Sequence, residues 1–312
     1  MQNITKHINP KNLFVLPFDH RAGFAQKMLG YGEVLSKQEK DTVTSYKKII
    51  YDAIFKAIEM GVPKECSAVL VDEVYGLEII KDAKEKGLVT MQTTEKSGLE
   101  HFEFEYGTDE DQNVSGENSY KKVENYKTHL LNIMPTYAKA LVRYDVSEDN
   151  TKQLGNLKNL SDFVKENNIG LLIEPLIKVR GEQSDFDHNF RYIDLMQMIT
   201  EMQDYGIEAD VWKIEGLYEK FQYEEVVKAA INTESRAGVG IIILGRNETK
   251  EHVMEWIKAG REVGGVLGFA VGRTIFWNPL MEYKEGKINR DEAVSKIAAE
   301  YFEYYKVFTN KN

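Results

Sequence analysis

The sequence predicts an α/β protein, a single-domain (β/α)8 TIM barrel. Eight short apolar runs alternate with stretches of helical periodicity. No Pro/Gly/Ser-rich linker or low-complexity tract divides the 312 residues, a length normal for one barrel with insertions. Charged residues gather where the apolar runs end and are scarce where they start, as on the working face of a barrel. The runner-up is an open doubly wound sheet, but the first run lacks the glycine fingerprint that follows it in dinucleotide-binding folds.

The first four strand candidates are NLFVLPFDHR (12–21), CSAVLVDEVYG (66–76), GLVTMQTTEKSG (87–98) and AKALVRYDV (138–146). The second four are NIGLLIEPLI (168–177), ADVWKIEGL (209–217), GVGIIILGRNE (238–248) and GGVLGFAVGRTIF (264–276). Between them, residues 44–61, 156–168, 192–206 and 251–264 place apolar side chains at three- and four-residue spacings, as helices do. Strand followed by helix, repeated eight times, fits one barrel better than two domains. Residues 99–136 break the rhythm: EFEYGTDEDQ and NVSGENSYKK are polar and acidic, ahead of a helical-looking KVENYKTHLLNIM. An insertion after the third strand is expected on the active face, as a lid or as a solvated loop. A last helix, 291–308, carries three tyrosines and two phenylalanines. It is expected to pack across the barrel, the alternative being a subunit interface in a homo-oligomer.

The formal charge of −10 gives the chain as a whole no attraction for nucleic acid or an anionic membrane. An anionic substrate therefore needs a local cluster of cations. The lone cysteine, Cys66, cannot form an intrachain disulfide, which fits a reducing cytoplasm. It reads as a small buried residue opening a strand. The amino terminus, MQNITKHINPKN, lacks the apolar core of a signal peptide, and no segment approaches the ~18 apolar residues of a membrane span.

The carboxyl ends of the runs offer, in order, Asp19, His20 and Arg21; Asp72 and Glu73; Glu95 and Lys96; Tyr144 and Asp145; Glu174; Lys213 and Glu215; Gly245 and Arg246; and Gly272 and Arg273. A glycine directly before an arginine lets backbone N–H groups approach an anion while the guanidinium grips it. Two such pairs, after the seventh and eighth strands, lie where many barrels hold a phosphate. A helix beginning after Arg273 would add its dipole.

Lys213 sits inside an otherwise apolar strand, between Trp212 and Ile214. Side-chain alternation puts it on the same face as Val211 and Glu215, and Glu174 ends the preceding strand. An amine in a dry site loses its proton more readily and can attack a ketone to form a Schiff base. A carboxylate one strand away could then remove a hydroxyl proton, and retro-aldol cleavage follows. The plainer alternative is a structural Lys213–Glu174 ion pair. The six histidines are scattered without a ligand pattern, so His101, His129 and His252 read as surface or capping residues and no metal site is expected.

On these residues the chain resembles class I aldolases of the tagatose 1,6-diphosphate aldolase type. It is more similar to the 2-deoxy-5-keto-gluconate 6-phosphate aldolase domain of myo-inositol catabolism. FDHR (18–21), EKSG (95–98), IEPL (173–176), WKIEGL (212–217) and VGRTIF (271–276) carry the resemblance along nearly the whole chain. The tagatose enzymes have an Asp-Gln-Arg pattern after the first strand; here His20 holds the middle position, as in the inositol-linked group. The resemblance implies that Lys213 is the Schiff-base lysine, Glu174 the acid/base, and Lys96 an active-site group that assists proton transfer or binds substrate oxygens. It implies that Gly245, Arg246, Gly272 and Arg273 hold a phosphate. His20, Arg21 and Lys96 become candidates for the far anion, with Asp19 beside them. No cofactor is implied, since the protonated imine withdraws the electrons. A ketose bisphosphate or sulfo-sugar phosphate substrate is the enzymatic alternative, and a sugar-phosphate sensor without turnover the non-enzymatic one.

Overall fold

Eight parallel strands close into a barrel in sequential order, with β8 pairing back onto β1. The computed structural model describes residues 12–108, 124–246 and 248–311. The strands are β1 (Leu13–Pro17), β2 (Ser67–Val71), β3 (Val89–Thr93), β4 (Tyr137–Tyr144), β5 (Gly170–Ile177), β6 (Val211–Glu215), β7 (Gly240–Leu244) and β8 (Val266–Ala270). All but β4 lie wholly inside an expected run, and β4 starts one residue early. Each strand is followed by a helix: α1 (Lys37–Glu59), α2 (Glu73–Glu85), α3 (Tyr126–Ile133), α4 (Thr151–Glu166), α5 (Arg191–Asp204), α6 (Lys220–Ala230), α7 (Lys250–Gly260) and α8 (Arg273–Lys284). A final helix, α9 (Arg290–Thr309), closes the chain.

The strands read as continuous apolar runs because both of their faces are covered. Their outward side chains join the helices in one large core. Their inward side chains, among them Leu13, Leu70, Met91, Tyr137, Leu172, Val211 and Ile242, form a separate plug inside the barrel. Two residues further along β4, β5 and β6 the inward position changes character. Tyr137 is followed by Lys139, Leu172 by Glu174 and Val211 by Lys213, so charge sits directly on top of the apolar plug.

Several strand-end charges serve the scaffold. Asp72 caps α2 by accepting from Tyr75 N at 2.9 Å and forms a fully buried ion pair with Lys47 of α1. Glu73 accepts from Gln92 Nε2 at 3.0 Å and meets His129 Nδ1 at 2.8 Å. His129 is half-buried and stacked on Tyr106 at 3.5 Å, so it is more than a surface residue. Cys66 is half-buried too, ending a short turn before β2, because the strand proper starts at Ser67.

In α9, Tyr301, Tyr304, Tyr305 and Phe308 are buried. Phe14 of β1 meets the rings of Tyr305 and Phe308 at 5.1 and 5.6 Å, and Tyr301 Oη donates to Phe14 O at 2.8 Å. The aromatic residues thus pack on the barrel's outer wall. After β3 an antiparallel bridge between Glu95 and Phe104 turns the chain back over the barrel mouth. Phe102 and Phe104 anchor that turn, Phe104 stacking on Tyr126 at 3.8 Å. The middle of the expected insertion, 109–123, lies outside the described residues. Among the described residues no helix is long and apolar enough to cross a membrane.

Candidate active site

The strand register determines which charges meet. Leu172 pairs with Val211, so Glu174 and Lys213, each two residues on, stand side by side and face inward. Glu174 Oε1 lies 2.9 Å from Lys213 Nζ. Lys139 pairs with Thr93 of β3 and Leu172 of β5. It therefore sits one layer deeper than Glu95 and Glu174, whose carboxylates reach over it. Lys139 Nζ is 2.6 Å from Glu95 Oε1, 2.8 Å from Glu174 Oε2 and 3.1 Å from Asp19 Oδ2. Three carboxylates and two ammonium groups thus converge above the plug, nearly all buried.

Their electrostatics are unequal. Burial works against the charge on Lys139, but Glu174, Glu95 and Asp19 overcome it and hold its pKa well above the ordinary lysine value. Burial opposes Asp19 and Glu174 as well, yet the two lysines keep both carboxyls below the usual carboxylate range. At Glu95 burial wins over Lys139, and its pKa is raised. The cluster therefore has fixed charges at Lys139, Asp19 and Glu174, and a carboxyl at Glu95 that retains a proton more readily. The Lys213 amine is buried, as a dry site requires, but it is held in the Glu174 ion pair that was the plainer alternative and borders a cavity of about 320 Å³.

The two Gly-Arg pairs both border this cavity, but differently. A Cβ at Gly272 would stand 2.4 Å from Pro17 O, so only glycine lets the end of β8 press against the end of β1. That approach sets the first turn of α8, with Arg273 as its first residue, at the barrel mouth. Arg273 has no ion-pair partner among the described residues, and burial lowers its pKa from the usual arginine value. A Cβ at Gly245 would make ordinary contacts of 3.4 and 3.5 Å with Val253 and Val271. Arg246 adopts a left-handed φ of 32° and forms an ion pair with Glu215. Glu215 also lies 3.8 Å from Arg191 Nε, and burial pushes its carboxyl up to about 7.

The remaining sequence candidates separate as follows. Asp19 belongs to the buried cluster. His20 borders the cavity, but burial drives its imidazole pKa down to about 4, so at neutral pH it offers a neutral ring where a cation was a candidate. Arg21 donates to Glu95 O at 2.5 Å and pairs with Glu105 at 2.7 Å, which turns its guanidinium toward the β3 loop. Lys96 lines the cavity from an exposed position at the rim, apart from the buried cluster. Lys139 was missed, although its signal matches that of Lys213: a lysine within an apolar strand, in AKALVRYDV. Arg143, two inward positions further along β4, also lines the cavity.

A larger groove of about 940 Å³ lies outside the barrel against α8 and α9. Arg273 borders both spaces, but Lys250 and Lys296 of the groove are already paired with glutamates and the buried acid–amine cluster opens into the barrel mouth, which is the better candidate. Among the described residues no group of three or more His, Cys, Asp or Glu could hold a metal ion. No curated protein matches the chain. One family model matches residues 2–312, and the chain belongs to that family, DUF2090, described as uncharacterized protein conserved in bacteria.

Proposed function

We propose that the protein is a class I aldolase, a carbon–carbon lyase that cleaves a phosphorylated keto acid or ketose through an imine on Lys213. The products are dihydroxyacetone phosphate and an aldehyde. One observation carries this reading: two lysines share one carboxylate on unequal terms. Lys139 is gripped by Asp19, Glu95 and Glu174. Lys213 meets Glu174 among the described residues and opens onto the cavity. An amine must leave its partner to attack a ketone, and Lys213, with one carboxylate contact against the three of Lys139, is the less restrained of the two.

Lys213 would form the C–N bond as the carbonyl oxygen gains a proton, and water would leave to give the iminium. Glu174 would take the proton from the β-hydroxyl group. The carbon–carbon bonding pair would then flow into the iminium, releasing the aldehyde. For 2-deoxy-5-keto-gluconate 6-phosphate the ketone is C5, the hydroxyl is on C3, and cleavage of C3–C4 releases malonate semialdehyde. The enamine left behind takes a proton on carbon and is hydrolysed. Lys139, held as an ammonium, would donate to the oxygen that develops charge, and Glu95 is suited to return a proton. The sequence resemblance supports the same assignment, and the lone Cys66 supports a reducing cytoplasm as its compartment.

Borohydride reduction in the presence of dihydroxyacetone phosphate, followed by peptide mass mapping, tests the reading. A reduced adduct on Lys213 is expected; tight binding of the phosphate with no lysine trapped would replace the aldolase with a sensor. Side-by-side assays on 2-deoxy-5-keto-gluconate 6-phosphate, a ketose bisphosphate and a sulfo-sugar phosphate identify the substrate.

A further inference from the structure

The cavity contains a cation that neither the cluster nor the Gly-Arg pairs account for. On β4 the inward positions run Tyr137, Lys139, Leu141, Arg143. Tyr137 belongs to the apolar plug and Lys139 to the charged layer, which leaves Arg143 at the mouth. Arg143 Nε donates to Leu99 O at 3.3 Å. Among the described residues it has no carboxylate within ion-pair distance. Arg21, the other arginine on this side, is committed to Glu105. In a closed ring of eight strands, β4 and β8 lie on opposite sides. Arg143 and Arg273 therefore stand across the mouth from one another, with Lys213 on β6 between them around the ring.

Resting on the imine reading, we propose that Arg143 receives a second anionic group of the substrate, carried on the fragment that leaves as the aldehyde. The preferred substrate then has an anion at each end. A phosphate lies beside Arg273 on the fragment bound to Lys213, and a carboxylate, phosphate or sulfonate lies beside Arg143. A guanidinium with its paired N–H donors unmatched by protein suits any of these planar or tetrahedral oxyanions. The loop carbonyl of Leu99 occupies Nε and leaves the two Nη groups for the ligand.

The test runs the reaction in the condensation direction. Dihydroxyacetone phosphate is offered with anionic aldehydes, malonate semialdehyde and glyceraldehyde 3-phosphate, and with neutral ones, propionaldehyde and glyceraldehyde. The readout is the ratio of kcat/KM for anionic over neutral acceptors. Arg143→Met should lower that ratio by about 10–100-fold, the usual worth of a charge-assisted hydrogen bond, chiefly through KM. Arg143→Lys should recover part of it. Trapping of dihydroxyacetone phosphate on Lys213 should be unchanged in both variants, because that ligand lacks the second anion, and it also reports an intact fold. If trapping persists and the ratio does not move, the assignment of Arg143 is overturned while the imine reading stands. A wild-type enzyme that traps nothing overturns the imine reading, and this assignment with it.

Discussion

Lys139 and Lys213 bind opposite oxygens of Glu174, at 2.8 and 2.9 Å, and this shared carboxylate divides their tasks. Lys139 contacts a buried trio of acids, whereas Lys213 contacts Glu174 and borders the cavity, where the proposed reaction needs a nucleophile. Their substitutions should therefore differ in kind. Lys139→Met leaves Asp19, Glu95 and Glu174 buried without their common cation and should cost about 3–5 kcal/mol of stability. Lys213→Met leaves Glu174 still paired with Lys139 and should cost about 1–3 kcal/mol while abolishing imine trapping. Urea denaturation of the two variants checks this; equal losses would count against the division.

Glu174→Gln keeps the shape of the side chain but removes the carboxylate that the proposed cleavage uses as its base. Lys139 retains Asp19 and Glu95, so the barrel should stay folded, as circular dichroism would report. Turnover should fall by about 10²–10⁴-fold, the range for loss of a positioned general base. A loss of less than tenfold would shift the proton-transfer role to Glu95.

Much of this site is legible in the sequence because strand alternation and strand order are local rules. Lys213 stood out as a charge inside an apolar run, and Glu174 followed from its place at the end of the strand before. Lys139 carries the same signal, but Arg143 four residues later makes that run look like a solvated strand. What defeated the sequence was pairing across the fold. Arg21 looked free because its partner, Glu105, lies in a loop whose path back over the mouth depends on Phe102 and Phe104 finding the core. Arg246 looked equivalent to Arg273, yet Glu215 reaches it from the neighbouring strand. His20 looked like a cation because its burial could not be read from its neighbours.

Glu215 makes a prediction about pH. Its carboxyl is raised by burial to about 7, above the ordinary glutamate value, despite the attraction of Arg191 and Arg246. Between the two values the folded protein binds a proton that the unfolded chain has lost. The contribution of Glu215 is therefore fully present below about pH 4.5 and is lost as pH rises through about 7. Glu215→Gln removes this dependence. Plotted against pH from 5 to 8, the stability of the wild type minus that of the variant should slope downward; a flat or rising difference would mean that the carboxyl is ionised throughout.

The two Gly-Arg pairs should respond unequally to the addition of one methyl group. At Gly272 the methyl would meet Pro17 O at 2.4 Å, a backbone atom that cannot rotate away. Either β8 separates from β1 or the first turn of α8 moves, and overpacking of this kind costs about 1–3 kcal/mol. Either response displaces Arg273 from the cavity, so affinity for inorganic phosphate should drop together with the melting temperature. At Gly245 the same methyl makes ordinary contacts with Val253 and Val271, and Gly245→Ala should leave both quantities nearly unchanged. Calorimetric phosphate titration of the two alanine variants separates the positions. If both lose phosphate equally, the anion is held by backbone N–H groups of both loops, and the close approach at Gly272 is scaffold alone.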